Sequence, residues 1–267
     1  MKKKVLVFFS SVVFCLVLAA HEFWIQPQRF RYKAGQAVKL KFHVGENFNG
    51  ENWSGNRSTV QQIHLYFNGY DDDIRNLLSE NTSGDSLTVQ FFDEGTVTVT
   101  CLTENKHIEL DAPEFLEYLK EDSLTETIAY REEHGESDSI GRELYQRNVK
   151  SIIQVGTKLD SGYNRETGLP VDIIPLSHPY LIKKTQRLSA KVLFEGKPLI
   201  NQTIKLWSKT NGHTEMKSLI TDENGIVEMD VKPIGQWMLS TVKMIRLEND
   251  STANWQSYWG SLTWGYF

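Results

Sequence analysis

The chain has 267 residues, of which 40% are hydrophobic, 11% aromatic and 24% charged. That aromatic content, with only 18 Gly and 7 Pro, excludes a disordered or collagen-like chain and supplies enough apolar surface for a real core. The formal charge is −5, and no basic run interleaved with aromatics offsets it, which argues against a nucleic-acid partner.

Lys2, Lys3 and Lys4 lead an almost unbroken apolar stretch, Val5 to Val17, closed by Leu18-Ala19-Ala20. A positive start, a short apolar middle and small residues at the end read as a signal peptide over residues 1–20, cut after Ala20. The apolar run is short for a bilayer span of about 20 residues. The expected mature chain is periplasmic or secreted, carries no transmembrane span and begins at His21. Losing three lysines leaves it with 26 basic against 34 acidic residues and moves the formal charge to −8. Cys15 departs with the leader, so Cys101 is left alone and makes no internal disulfide. It continues the alternation Thr96-Val97-Thr98-Val99-Thr100 and reads as a small buried strand residue.

Alternation predicts a strand over 36–45, with Val38, Leu40, Phe42 and Val44 on one face and Lys39, Lys41 and His43 on the other. Ile63, Leu65 and Phe67 predict a second strand, ending at the turn Asn68-Gly69. Residues 86–92 and 95–103 read as a hairpin turned at Asp93-Glu94-Gly95, and the polar stretches 50–58 and 76–85 as loops. The period then changes. Asp111 and Pro113 open a helix with Phe115, Tyr118 and Leu119 on one face, and a second helix is expected from Leu124 to Glu133, stopping at His134-Gly135. A third is expected after Asp138 or Ser139, with Ile140, Leu144, Ile152 and Ile153 as its apolar side and Glu143, Arg147 and Lys150 as its wet side. Strands resume at Ile152 to Gly156 and at Val171 to Pro175. Beyond a linker at Ser177-His178-Pro179-Tyr180, the turns Gly196-Lys197-Pro198 and Asp222-Glu223-Asn224-Gly225 punctuate a second run of strands. The last thirteen residues hold Trp255, Tyr258, Trp259, Trp264, Tyr266 and Phe267 and read as an edge strand covering a core.

The expected fold is therefore mainly β: two immunoglobulin-like or transthyretin-like β-sandwich domains. The first covers 21–178, with a helical insert at about 111–153, and the second covers 179–267. Such modules more often stiffen or present than catalyse.

Catalytic patterns are missing. There is no G-x-S-x-G and no phosphate-cradling glycine loop, and His21-Glu22-Phe23-Trp24-Ile25 has Ile where a second zinc ligand would stand. No enzyme class follows. One position stands apart. A mature N-terminal His21 offers its α-amine and its imidazole Nδ1 to one metal, closing a chelate that suits nitrogen-preferring Cu(II) or Ni(II). A further ligand is needed. Among the remaining histidines, each by default a surface residue, His43 and His107 rank first because they share the first domain with the N-terminus. The expected cofactor is thus a divalent transition metal, nickel, cobalt or copper, held by His21 with His43 or His107. The alternative is a non-catalytic envelope module that binds a glycan or an outer-membrane partner through its tryptophan-rich end.

Several segments together resemble a known family. They are His21-Glu22-Phe23-Trp24-Ile25-Gln26-Pro27, Val44-Gly45-Glu46-Asn47, Phe115-x-x-Tyr118-Leu119 with Glu121, Gly141-Arg142-Glu143-x-Tyr145, Gly168-Leu169-Pro170 and Trp255-x-Ser257-x-Trp259-Gly260-Ser261-Leu262-Thr263. The likeness is to the domain-of-unknown-function family 4198 and spans nearly all of the mature chain. The resemblance implies an exported bacterial protein linked to nickel or cobalt uptake, with a metal ion and a membrane uptake complex or outer-membrane receptor as partners. Gly260 stands where that family more usually has Ala, and Trp264-Gly265-Tyr266-Phe267 runs past its usual acidic end.

Overall fold

The computed structural model describes residues 21–267; the expected signal peptide lies outside the described residues. Among the described residues, eighteen strands and two α-helices follow one another. The first stretch contributes β1 (Glu22–Pro27), β2 (Arg31–Tyr32), β3 (Ala37–Glu46), β4 (Asn49–Asn52), β5 (Val60–Phe67), β6 (Tyr70–Asp73), β7 (Leu87–Gln90), β8 (Gly95–Thr103) and β9 (Lys106–Leu110). Helices α1 (Ala112–Glu121) and α2 (Thr125–Glu133) come next, followed by β10 (Gly141–Val155) and β11 (Val171–Pro175). The chain ends with β12 (Gln186–Phe194), β13 (Lys197–Pro198), β14 (Thr203–Thr210), β15 (His213–Ile220), β16 (Ile226–Val231), β17 (Gln236–Arg246) and β18 (Trp255–Gly265).

These strands build three sheets. A ten-stranded sheet runs β15-β14-β17-β18-β10-β8-β5-β6, with β2 and β9 also paired to β10. Strands β1, β3, β4 and β7 form one small sheet, and β11, β12, β13 and β16 another. Successive side chains of a strand point to opposite faces, so β10 sorts the two small sheets. Val149, Ile153 and Val155 enter a core with Phe23, Ile25, Leu40 and Phe42 of the first small sheet. Ile152 enters a second core with Val192, Leu206, Val227 and Leu262. The long sheet is therefore a shared middle layer, with one small sheet on each face, giving two sandwich-like halves. Segments 21–178 and 179–267 meet along β10 and β18, which pair in parallel from Glu143↔Trp255 to Ser151↔Thr263.

Local pattern accounts for much of this. Helix α1 buries Phe115, Tyr118 and Leu119, with Asp111 at its N-cap and Pro113 in its first turn, although the Asp111 side chain makes no capping bond. These three residues pack with Val242, Met244, Trp255 and Trp259. Gly141 allows the approach, since a Cβ there would stand 2.2 Å from Cγ of Phe115. Cys101 is fully buried in β8.

Four expectations are corrected. The third helix is instead β10, fifteen residues of strand buried on both faces along most of its length. Flanked by β8 and β18, it loses the polar-apolar alternation by which a half-exposed strand is recognised. Strands β7 and β8 are no hairpin, because β7 pairs with β3 in the small sheet and β8 with β5 and β10 in the long one. Within the expected 50–58 loop, β4 pairs with β3 through the turn at Asn47 and Phe48, both at positive φ. Finally, β18 is no edge strand; it lies between β17 and β10.

Candidate functional site

The site is built on the first small sheet. In β1, Phe23 and Ile25 point into the core below the sheet, while Trp24 packs on the other side with Phe48, Trp207 and Met238. Polar side chains of β18 hold its backbone: Ser261 Oγ donates to the Phe23 carbonyl at 2.7 Å and Thr263 Oγ1 to the Ile25 carbonyl at 2.9 Å. The strand is therefore fixed on both faces, and His21 at its start is only 9% exposed.

Pairing of Glu22 with Gly45 brings His21 beside Glu46, and His21 Nε2 lies 2.7 Å from Glu46 Oε1. A carboxylate on Nε2 sets the tautomer, because it accepts the Nε2 proton and leaves the Nδ1 lone pair available. Glu46 itself is mostly exposed. The contact therefore sits at the rim of the core.

The other ranked histidines lie elsewhere. His43 pairs across the ladder with Trp24, and its ring meets the Trp24 edge at 5.6 Å. Cross-strand partners share a face, so His43 faces away from His21. Burial, with Lys41 and Lys209 nearby, lowers its pKa. His107 is on β9, paired with Leu144 of the long sheet, with Nε2 3.0 Å from the Thr252 carbonyl oxygen. The three residues are thus not gathered around one point. Among the described residues no group of three or more His, Cys, Asp or Glu side chains is placed to hold a metal ion. His178 departs from the default of a surface histidine. It is buried, its Nδ1 accepts from the Tyr180 amide and its Nε2 faces Thr96 Oγ1, and burial pushes its pKa down to about 4.

Behind β1, on the face away from His21, lies a charged cluster that the sequence reading missed. Lys205 Nζ of β14 reaches Asp122 Oδ1 at 2.7 Å and Glu22 Oε1 at 3.4 Å. Burial works against the ammonium, but the two carboxylates outweigh it and raise the Lys205 pKa. Burial raises Asp122 and Glu22, since one lysine cannot neutralise both. A cavity of about 10 Å³, lined by Glu22, Asp122, Lys205, Ser240 and Ser261 among others, adjoins them, and Asp122 Oδ2 has no hydrogen-bond partner. That is room for about one water. Further along, Glu143 of β10 accepts from Tyr118 Oη at 3.1 Å and from Ser257 Oγ, and burial pushes its pKa up to about 7. Glu143, Arg147 and Lys150, expected on the wet side of a helix, are all buried because β10 is covered on both faces. The partners in the lysine cluster are separated by 83 and 183 residues, so no local spacing could announce them.

Trp255, Trp259 and Trp264 are all buried, so β18 offers no tryptophan platform to a sugar.

The chain matches the family model "Domain of unknown function (DUF4198)" over residues 18–244. It belongs to the DUF4198 family. The match takes in β1, both helices, β10 and most of β17, so the His21–Glu46 contact and the buried acidic residues all lie in the DUF4198 region. No curated protein matches the sequence. Two solved structures similar to this DUF4198 chain are a Salmonella alpha-2-macroglobulin mutant and native E. coli alpha-2-macroglobulin, each 10% identical over 92% of this chain, with TM-scores of 0.24 and 0.22. The chain spans about 15% and 14% of their lengths.

Proposed function

We propose that this DUF4198 protein is exported, begins at His21 once cut, and binds a divalent transition metal, nickel, cobalt or copper, for uptake or storage outside the cytoplasm. The ligands are the α-amine and Nδ1 of His21, and the destination of the metal is a membrane uptake complex. One observation carries the reading: the 2.7 Å contact between His21 Nε2 and Glu46 Oε1. Metal-bound imidazoles commonly donate their second ring N–H to a carboxylate, which orients the ring and raises the basicity of the ligating nitrogen. Glu46 occupies the nitrogen that the chelate does not need. A two-nitrogen chelate leaves further positions on the metal for water or for a receiving protein, which suits transfer better than permanent storage.

The test is titration calorimetry with Cu(II) and Ni(II) on the mature protein, on a form with one Ala placed before His21, and on His21→Ala. Binding is expected in the first and strongly weakened in the other two, since an added residue moves the amine out of the ring while every side chain remains. Equal affinity in all three would overturn the reading.

A further inference from the structure

We propose that β15 is the interface through which two copies of this chain join, antiparallel and about a two-fold axis at Met216, so that the long sheet continues from one copy into the other. The strand ends the ten-stranded sheet. It pairs with β14 from Thr203↔Ile220 to Thr210↔His213, and among the described residues no other strand pairs with it. None of its eight residues is buried, and Met216 and Ile220 are 46% and 57% exposed. An open row of backbone N–H and C=O groups on a strand this long is a template for another strand. Natural proteins blunt such an edge with a proline, a bulge, a cover or charged side chains; His213–Ile220 contains no proline or glycine, has an unbroken register with β14, and carries two charges of opposite sign, Glu215 and Lys217.

The order of charges identifies the occupant. Glu215 and Lys217 flank Met216 and point to the same face as each other. Around an axis at Met216, Glu215 of each copy stands opposite Lys217 of the other, Thr214 opposite Ser218, and Met216 opposite Met216. Moving the axis to residue 215 or 217 places Glu against Glu or Lys against Lys. Parallel pairing in register does both. Directly opposed like charges destabilise a pair of strands and unlike charges stabilise it, so of these registers the one centred on Met216 is complementary to itself. A symmetric dimer needs that self-complementarity. Each favourable contact then occurs twice.

The mature protein is followed by sedimentation equilibrium at low ionic strength. A dimer is expected. Glu215→Lys and Lys217→Glu should each weaken it about tenfold or more, because one substitution turns two attractive pairs into two repulsive ones. The double variant Glu215→Lys/Lys217→Glu should restore native affinity, which also shows that the single variants fold. Met216→Cys should give a disulfide-linked dimer on mild oxidation, Cys101 being buried. A native protein that stays monomeric, a dimer indifferent to both single changes, or a double variant as weak as the singles would each overturn the proposal.

Discussion

Ile152 and Ile153 are neighbours in β10 and belong to different cores, Ile153 to the one under the first small sheet and Ile152 to the one under the second. Both are fully buried. The two halves of the protein therefore share a strand, and their stabilities are coupled through it.

Truncating either isoleucine to Ala should cost about 2–5 kcal/mol. Urea unfolding followed by tryptophan fluorescence should remain one transition, moved to lower denaturant as a whole. Two separate transitions, with only one of them moved, would contradict the shared layer.

Lys150 and Asp172 form an ion pair between β10 and β11, with both side chains almost fully buried. Lys150 Nζ also donates to the Arg165 carbonyl, and Asp172 Oδ2 accepts from the Thr167 amide and hydroxyl. Lys150→Met leaves a buried carboxylate uncompensated and should cost about 3–5 kcal/mol. Lys150→Met/Asp172→Leu removes both charges and should recover much of that loss. A double variant no more stable than the single one would mean that the pair is needed for more than mutual neutralisation.

Glu143 gives stability a pH signature. Its folded pKa is raised from 4.5 to about 7, so the folded protein holds a proton there that the unfolded chain releases at lower pH. The contribution is complete below about 4.5 and is lost as pH rises toward 7, by up to about 3 kcal/mol. His178 acts in the opposite sense. Its pKa is lowered to about 4, so its contribution is complete above about 6.5 and is lost as pH falls toward 4. The difference in unfolding free energy between native protein and Glu143→Gln, plotted against pH, isolates the first effect and should slope across 4.5–7. A flat difference would remove Glu143 as its source.

Gly260 sits in β18 where a Cβ would stand 2.3 Å from Cγ1 of Val171. Gly260→Ala should therefore destabilise by about 1–3 kcal/mol through overpacking. Adding Val171→Ala should relieve part of the loss. Thermal melts of the two variants decide it, and a neutral Gly260→Ala would show that Val171 moves aside freely.

Glu46→Gln tests the supporting contact of the metal reading without touching a ligand. Metal affinity should fall about 10–100-fold, as it does when the carboxylate partner of a ligating imidazole is removed. Unchanged affinity would leave Glu46 outside the site.

Short-range pattern made the mainly β class, the strand at Val38 to Val44, the Asn68-Gly69 turn and the two helices readable, since each depends on residues within a few positions of one another. Helix α1 is the clearest case: Phe115, Tyr118 and Leu119 lie on one face whatever they pack against. Strand β10 is the reverse. Ile140, Leu144, Ile152 and Ile153 also fit a helical spacing, and only burial between β8 and β18 made the segment a strand. The Asp93-Glu94-Gly95 bend was legible, but not that it carries the chain from one sheet to another. Of the metal candidates, His21 could be singled out for its position next to Ala20. The placement of Glu46 beside it, and of His43 on the opposite face, came from the register of β1 on β3. The cluster of Glu22, Asp122 and Lys205 was decided by tertiary structure alone, because burying charge requires partners in space, and here they come from β1, the end of α1 and β14.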